Sequence, residues 1–413
     1  MRNNKFIILN DGTYYKGIQI IINKNNYNKL IFKYLTIASS IKVKGIVKLQ
    51  KNKIDLEIKL IYIYIYYNNK KKYIQNSLLQ KKNHSFKYIR KQNYLRFQTN
   101  LFSNILRIKN FLFNKINNFL YKNNFMYIHT PIITNFNTEN ILNIFSLKNN
   151  FFNEKVYLTV SGQLENEIAI NGFKKVYSFG PVFRAEKSNT NKHLAEFWML
   201  EIEIAFCNFK KIIFFIKKFI KYILKNVIYF CKYELSIIDK FNNKKKNYSI
   251  IKLSKLKNNI KIITYNNIIK ILKKKYKNIK YGVDINSNFE KYLFNYFNNI
   301  ILIIINHPIK SKVFYMKKNK DNKTVKSVDV LFPKIGEIIG GSQREENLLF
   351  LKKNLKFFNI KKNKIDFYLK TRLLGNTIHS GFGLGFDRLI QFITNVNNIK
   401  DIVEFPRYYK KLI

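Results

Sequence analysis

The chain is poor in several residue types. Of 413 residues only two are Cys, five Pro and 14 Gly, and Asp plus Glu number 24 against 76 Lys plus Arg. Cys207 and Cys231 stand 24 positions apart with no CxxC and no nearby His pair, which excludes a disulfide scaffold and a zinc site. Too little glycine and proline is present for a collagen-like fibre, and too little acid for an acidic disordered tail. The longest uncharged stretch, 292–309, contains four Asn and a Pro, so it reads as a buried strand around 300–305 and not as a membrane span. Residues 1–12 hold an apolar run of only four residues and no small-residue cleavage site, so no signal peptide is expected. These absences predict a cytoplasmic protein with no membrane partner.

What is present points to a globular protein of two or three domains, since 46% of the residues are hydrophobic. The formal charge of +52 would ordinarily suggest a nucleic-acid partner, but 67 of the 76 basic residues are Lys amid heavy use of Asn and Ile. Compositional drift scatters such lysines over any protein, so the scarce residue types carry more information. Ten of the 14 glycines, four of the five alanines, the single Trp and four of the nine arginines fall within 160–206 and 336–388. Backbone freedom, tight packing or a guanidinium fork could not be given up there.

Short alternating apolar runs in 1–66 predict a small β domain, followed by a hinge or linker over 67–100. From Ser103, apolar residues at Ile105, Ile108, Leu112, Ile116 and Phe119 predict a helix that Asn123 and Asn124 end. A Lys-rich block over 208–280 reads as a helical insertion in a domain spanning 101–413.

Residues 195–206, AEFWMLEIEIAF, alternate as a strand, with Phe197, Met199, Glu201 and Glu203 on one face. Residues 176–186, VYSFGPVFRAE, are its expected antiparallel partner and bring Arg184 and Glu186 to that face under the basic loop 187–194. Such a face suits a polyanion beside an amine or amide. In 379–389, HSGFGLGFDRL, three period-two glycines leave bare backbone for a flat ring, with Arg388 beside it. Asp329 and Glu337, near a phosphate site, suit Mg²⁺. His84, His129 and His307 show no partner in the sequence and read as structural or surface residues.

The segments 160–206, GEIIGGSQREE and HSGFGLGFDRL resemble those of the asparaginyl-tRNA synthetases, class II enzymes of the aspartate subgroup. So do FMYIHTPIIT at 125–134, including Pro131, and NIKDIVEFPR near the end of the chain. The resemblance implies an α+β architecture: a class II catalytic domain, with an antiparallel sheet flanked by helices, behind an OB-fold that binds the anticodon. It also implies a homodimer, and asparaginyl-adenylate formation from ATP and L-asparagine followed by transfer to tRNA(Asn). Arg184 and Arg388 would be catalytic; Glu186, Lys192, His193 and Phe197 would join them around ATP. Glu139, Gln163, Glu201 and Arg344 would bind asparagine, and Asp329 and Glu337 Mg²⁺. A carboxylate at Glu201 accepts from an amide NH₂ and repels a carboxylate, which favours asparagine over aspartate.

The chain departs from the family in three places. The loop 138–143 reads TENILN, keeping Glu139 but losing two glycines and an acid. Lys192 replaces an expected Arg, a point charge in place of a planar fork. Residues 6–13 resemble the second OB strand, so a truncated barrel lacking its first strand is expected. Three rival readings are an aspartate-charging enzyme, a tRNA-free asparagine synthetase, and a non-catalytic tRNA-binding protein. Glu201, the presence of 1–66, and the joint retention of Arg184, Glu337, Arg344 and Arg388 argue against them in turn.

Overall fold

Alternating apolar positions in the first 67 residues produce four strands, β1 (Asn4–Leu9), β2 (Ile18–Asn23), β3 (Ser40–Leu49) and β4 (Leu56–Tyr67). The computed structural model describes residues 4–14, 16–23, 34–49, 56–68, 84–135, 143–148, 150–360 and 365–412. The chain divides into two compact units, Met1–Leu106 and Arg107–Ile413. In the first, the strands form a sheet in the order β1-β2-β4-β3, with β2 and β4 parallel. Ile20, Ile22, Leu60 and Ile63 are its buried core. On the opposite, exposed face of β4 lie Tyr62 and Tyr64, paired across the ladder with Lys44 and Lys42. Of the hinge or linker expected over 67–100, residues 69–83 lie outside the described residues.

The predicted helix runs over Asn100–Lys122, beginning three residues earlier than its apolar pattern suggested. Its five predicted core positions are buried, and Asn124, in the left-handed region at φ 61°, turns the chain away. Beyond it come β5 (Met126–Tyr127), then β6 (Ile133–Thr134), β7 (Ser146–Leu147) and β8 (Val156–Leu158), which make a three-stranded sheet of their own. The main strands are β9 (Lys175–Phe183), β10 (Glu196–Ala205), β11 (Ile260–Thr264), β12 (Ile301–Ile305), β13 (Ser327–Phe332), β14 (Gly336–Gln343) and β15 (His379–Gly385).

With β5, these seven strands form one sheet in the order β11-β12-β13-β14-β15-β10-β9-β5. Its middle six strands are antiparallel, as expected, but the sheet as a whole is mixed: β11 runs parallel to β12 and β5 parallel to β9. The cause at one edge is connectivity. β11 and β12 are joined through helices Tyr265–Lys273 and Ser287–Tyr296, and a crossover of that length returns the chain in the same direction. The Lys-rich block is therefore not wholly helical. Helices Phe209–Phe230, Lys232–Phe241 and Tyr248–Asn258 give way to the β-branched run IKIIT, which adds an edge strand. β12 is the buried strand expected near 300–305. Both cysteines are free and buried, and no described helix is long and apolar enough to cross a membrane.

Candidate active site

The floor of the site follows from strand register. β10 pairs with β15 so that Met199, Glu201 and Glu203 face Gly385, Gly383 and Gly381. A Cβ at Gly381 would collide with the Glu203 carboxylate, and one at Gly383 would come within 2.7 Å of the Met199 methyl. The period-two glycines thus make room for side chains of the neighbouring strand. Only around Gly385, beside the Arg388 side chain, does the surface resemble the bare platform expected from the sequence. Phe382, Leu384 and Phe386 are buried in the core.

Above this floor opens a cavity of about 600 Å³. Gln163, Arg184, Glu186, Lys192, His193, Phe197, Glu201, Asp329, Glu337, Arg344 and Arg388 all line it. Glu139 lies outside the described residues.

The inner end of the cavity is a network of buried charges. Glu201 accepts hydrogen bonds from the Ser161 hydroxyl and from the Gly162 N–H at 2.8 Å, at the start of helix Gln163–Ala169. Arg344 directs Nε (2.8 Å) and Nη2 (2.5 Å) onto Oε1 of Glu203, which also accepts from the Gln163 amide, and donates Nη1 to Ser342 at 2.7 Å. Burial pushes the Glu203 carboxyl up to about 7 against the pull of Arg344. Behind it, Glu167 accepts from Arg372 (2.6 Å) and Tyr368 (2.7 Å) and lies 3.0 Å from His379 Nε2. Burial alone would raise the Glu167 carboxyl; the His379 hydrogen bond and the Arg372 and Arg344 charges prevail and hold it at about 2.

The outer end is cationic and half-open. The Arg184 guanidinium sits 5.4 Å from the centre of the Phe197 ring. Arg388 donates to the Glu337 carbonyl at 3.0 Å, and Lys192 pairs with Glu290 at 3.2 Å. His193 Nδ1 lies within 2.9 Å of the Ser188 and Thr190 hydroxyls, and its Nε2 is 3.8 Å from Glu186. Burial lowers the His193 pKa, and the Arg388 and Lys192 charges add to that against Glu186. Between the two ends stand Asp329 and Glu337. Asp329 is gripped by Lys312 through both oxygens (2.7 and 2.6 Å), and His307 Nε2 lies 3.1 Å from it. Burial pushes Asp329 up, but His307 and Lys312 outweigh it and hold it below its usual range. The surrounding protein and the Asp329 charge push Glu337 up to about 7.

The family model described as tRNA synthetases class II (D, K and N) matches residues 85–409. The chain belongs to this family. An asparagine–tRNA ligase of Borrelia garinii subsp. bavariensis is 38% identical to this synthetase over 435 residues, 98% of this chain and 92% of that protein. One from Mycoplasma mycoides subsp. mycoides is 39% identical over 431 residues, 99% and 92% of the two chains. Among solved structures, asparaginyl-tRNA synthetase from Pyrococcus horikoshii complexed with asparaginyl-adenylate superposes with a TM-score of 0.90 at 28% identity, covering 100% of this chain and 93% of that one.

Sequence reasoning missed several residues of the synthetase's site. Lys312 was one lysine among 67, with nothing in its neighbourhood to single it out. His307, read as structural or surface, proves to be buried against Asp329, anchored by the Ser327 hydroxyl 2.9 Å from Nδ1. Arg372 did fall among the scarce arginines of the second window, but its partner Glu167 is 205 positions away and only the fold joins them.

Proposed function

We infer that this synthetase activates L-asparagine with ATP to asparaginyl-adenylate and pyrophosphate, then transfers the asparaginyl group to tRNA(Asn): it acts as an asparagine–tRNA ligase. The observation that carries the choice of amino acid is Glu201, buried at the inner end of the cavity and held there by the Ser161 hydroxyl and the Gly162 N–H. A fixed carboxylate at that depth accepts from an amide NH₂ and repels a second carboxylate. Arg344, kept in place by Glu203 and Ser342, donates to the side-chain carbonyl oxygen; Gln163 and Glu139 address the α-amino group. The curated asparagine–tRNA ligases similar over nearly the whole chain support the same reading.

In the first step the asparagine carboxylate attacks the α-phosphorus and pyrophosphate leaves. Arg184 holds the α-phosphate and offsets the charge growing on its oxygens. Adenine lies between Phe197 and Arg388, with Glu186 accepting from its amino group, and Lys192 and His193 meet the terminal phosphates. Asp329 and Glu337 supply only oxygen donors to the cavity, and Asp329 already holds a cationic ammonium, that of Lys312, through both oxygens. That donor set fits Mg²⁺, which keeps several waters and takes the rest of its ligands from phosphates. Among the described residues no cluster of three or more His, Cys, Asp or Glu forms a closed metal cage. The ion when bound would neutralise phosphate charge; the chain's own contribution is position and field.

The β sheet of the first unit serves as a shortened OB-fold reading the anticodon. Tyr62 and Tyr64, 55% and 49% exposed, offer stacking faces interleaved with Lys42 and Lys44, the pattern of a single-strand platform. Tyr64→Ala raises the KM for tRNA about tenfold, within the range for losing one stacked base, and leaves asparagine-dependent ATP–pyrophosphate exchange unchanged. An equal effect on exchange would contradict an anticodon role. The exposed apolar residues Met126, Tyr127, Ile132 and Ile133 mark the face on which a second copy docks to form the homodimer. Protein synthesis in the cytoplasm is the setting this reading implies.

The proposed specificity is tested by Glu201→Gln. The neutral amide no longer repels a carboxylate, so exchange with aspartate rises relative to asparagine by about 10- to 100-fold, the scale of one desolvated polar mismatch. Unchanged selectivity would assign discrimination to another group.

A further inference from the structure

Lys312 lines the cavity, and the proposed reaction gives it no task. It follows the short turn Ile309–Ser311, its side chain is only 16% exposed, and both oxygens of Asp329 lie within 2.7 Å of Nζ. The second acid, Glu337, stands on the neighbouring strand β14 and lines the same cavity as Lys312 and Asp329. His307, itself fixed by the Ser327 hydroxyl, stands 3.1 Å from Asp329 and leaves Lys312 as the one hydrogen-bonded side-chain partner of Asp329 among the described residues. Two carboxylates on neighbouring strands of one cavity repel one another unless a positive charge stands with them.

We propose that Lys312 is a built-in counter-ion, occupying the cation position of the Asp329–Glu337 pair until Mg²⁺ arrives with the nucleotide, and yielding that position on binding. The inference rests on the reading of Asp329 and Glu337 as the metal pair and adds what happens there beforehand. An internal lysine and an external divalent ion compete for the same oxygens. The apparent metal affinity is therefore reduced by the fraction of molecules in which Lys312 still holds them. A long, flexible ammonium side chain suits this task, because it can withdraw toward solvent without backbone movement. The consequence is order of binding: metal alone binds weakly, and metal carried on triphosphate, which brings its own negative charge for Lys312 to meet, binds well.

The test is Mn²⁺ binding to the full chain without nucleotide, read from the electron paramagnetic resonance signal of the free ion, for the wild type, Lys312→Met and Lys312→Gln. The glutamine variant keeps a hydrogen-bond donor for Asp329 but no charge, so it reports even if the methionine variant folds poorly. Both substitutions are expected to tighten Mn²⁺ binding about tenfold or more, a typical coupling for two species that exclude each other. Both should also melt lower than wild type in chelator and recover more on adding Mn²⁺. Asp329→Asn, alone and combined with Lys312→Gln, separates the two layers of the argument. Affinity that is equal in wild type and Lys312 variants but lost with Asp329→Asn overturns the counter-ion role and keeps the metal pair. Affinity indifferent to Asp329→Asn in every background overturns both.

Discussion

Arg184→Ala slows asparagine-dependent ATP–pyrophosphate exchange by about 10³-fold or more, the range seen when an arginine is removed from a phosphoryl-transfer transition state. Arg184 follows β9 directly, and its backbone N–H is tied to the Ala195 carbonyl at 2.9 Å just ahead of β10. The guanidinium therefore starts from a fixed point on the sheet. Its side chain lies over Phe197, on the side of the cavity proposed for adenine and the α-phosphate. Charge accumulates on the phosphate oxygens only as the carboxylate attacks, so the loss should appear mainly in kcat and less in the KM for ATP. Because Arg184 is half-open to the cavity, the melting temperature should stay within about 2 °C of wild type. Exchange within a few-fold of wild type, or a loss confined to KM, would remove Arg184 from the chemical step.

Glu167→Ala has the largest expected effect on stability. Glu167 is fully buried and accepts from Tyr368, Arg372 and His379, with Arg344 Nε at 3.7 Å. Its removal leaves the buried Arg372 without its carboxylate, and breaking a buried pair in this way costs about 3–5 kcal/mol, or roughly 10 °C in the melting of the catalytic unit. Against the upward push of burial, the His379 hydrogen bond and the buried guanidinium of Arg372 hold the Glu167 carboxyl below its usual range. The sign follows from the direction of that displacement. The folded state holds the ionised form, so this stabilisation is complete above the unfolded value near 4.5 and is lost as the pH falls toward 2. Urea unfolding should therefore show the wild type losing stability between about pH 5 and pH 3 faster than Glu167→Gln. Parallel curves would mean that the arginines are held by other groups. Since Glu167 stands behind Arg344, the glutamine variant should also bind asparagine more weakly.

How much of this could be read beforehand depended on which residue types composition had spared. In a chain saturated with Lys, Asn and Ile, the scarce glycines and arginines marked β9, β14 and β15, the single Trp and an Ala marked β10, and the alternation AEFWMLEIEIAF showed the direction of its side chains. The register that sets Glu203 against Gly381 was not visible, because period-two glycine reads equally as a bare platform or as space for a neighbour's carboxylate. The strand 260–264 was hidden inside a lysine-rich helical pattern, since five apolar-rich residues are too few to separate one period from another. Lys312 and His307 were unreadable for a different reason. Their partner Asp329 lies 17 and 22 residues away, and their significance is a matter of depth and charge that only folding supplies.

The central claim is that the buried Glu201 pocket activates asparagine and rejects aspartate. ATP–pyrophosphate exchange by the purified wild-type chain, with the two amino acids compared at equal concentration and saturating ATP and Mg²⁺, tests it most directly. Rapid exchange with asparagine and little or none with aspartate is the predicted result. Exchange with aspartate at a comparable or higher rate would contradict the assignment of Glu201, and exchange with neither would contradict the catalytic reading of the cavity itself.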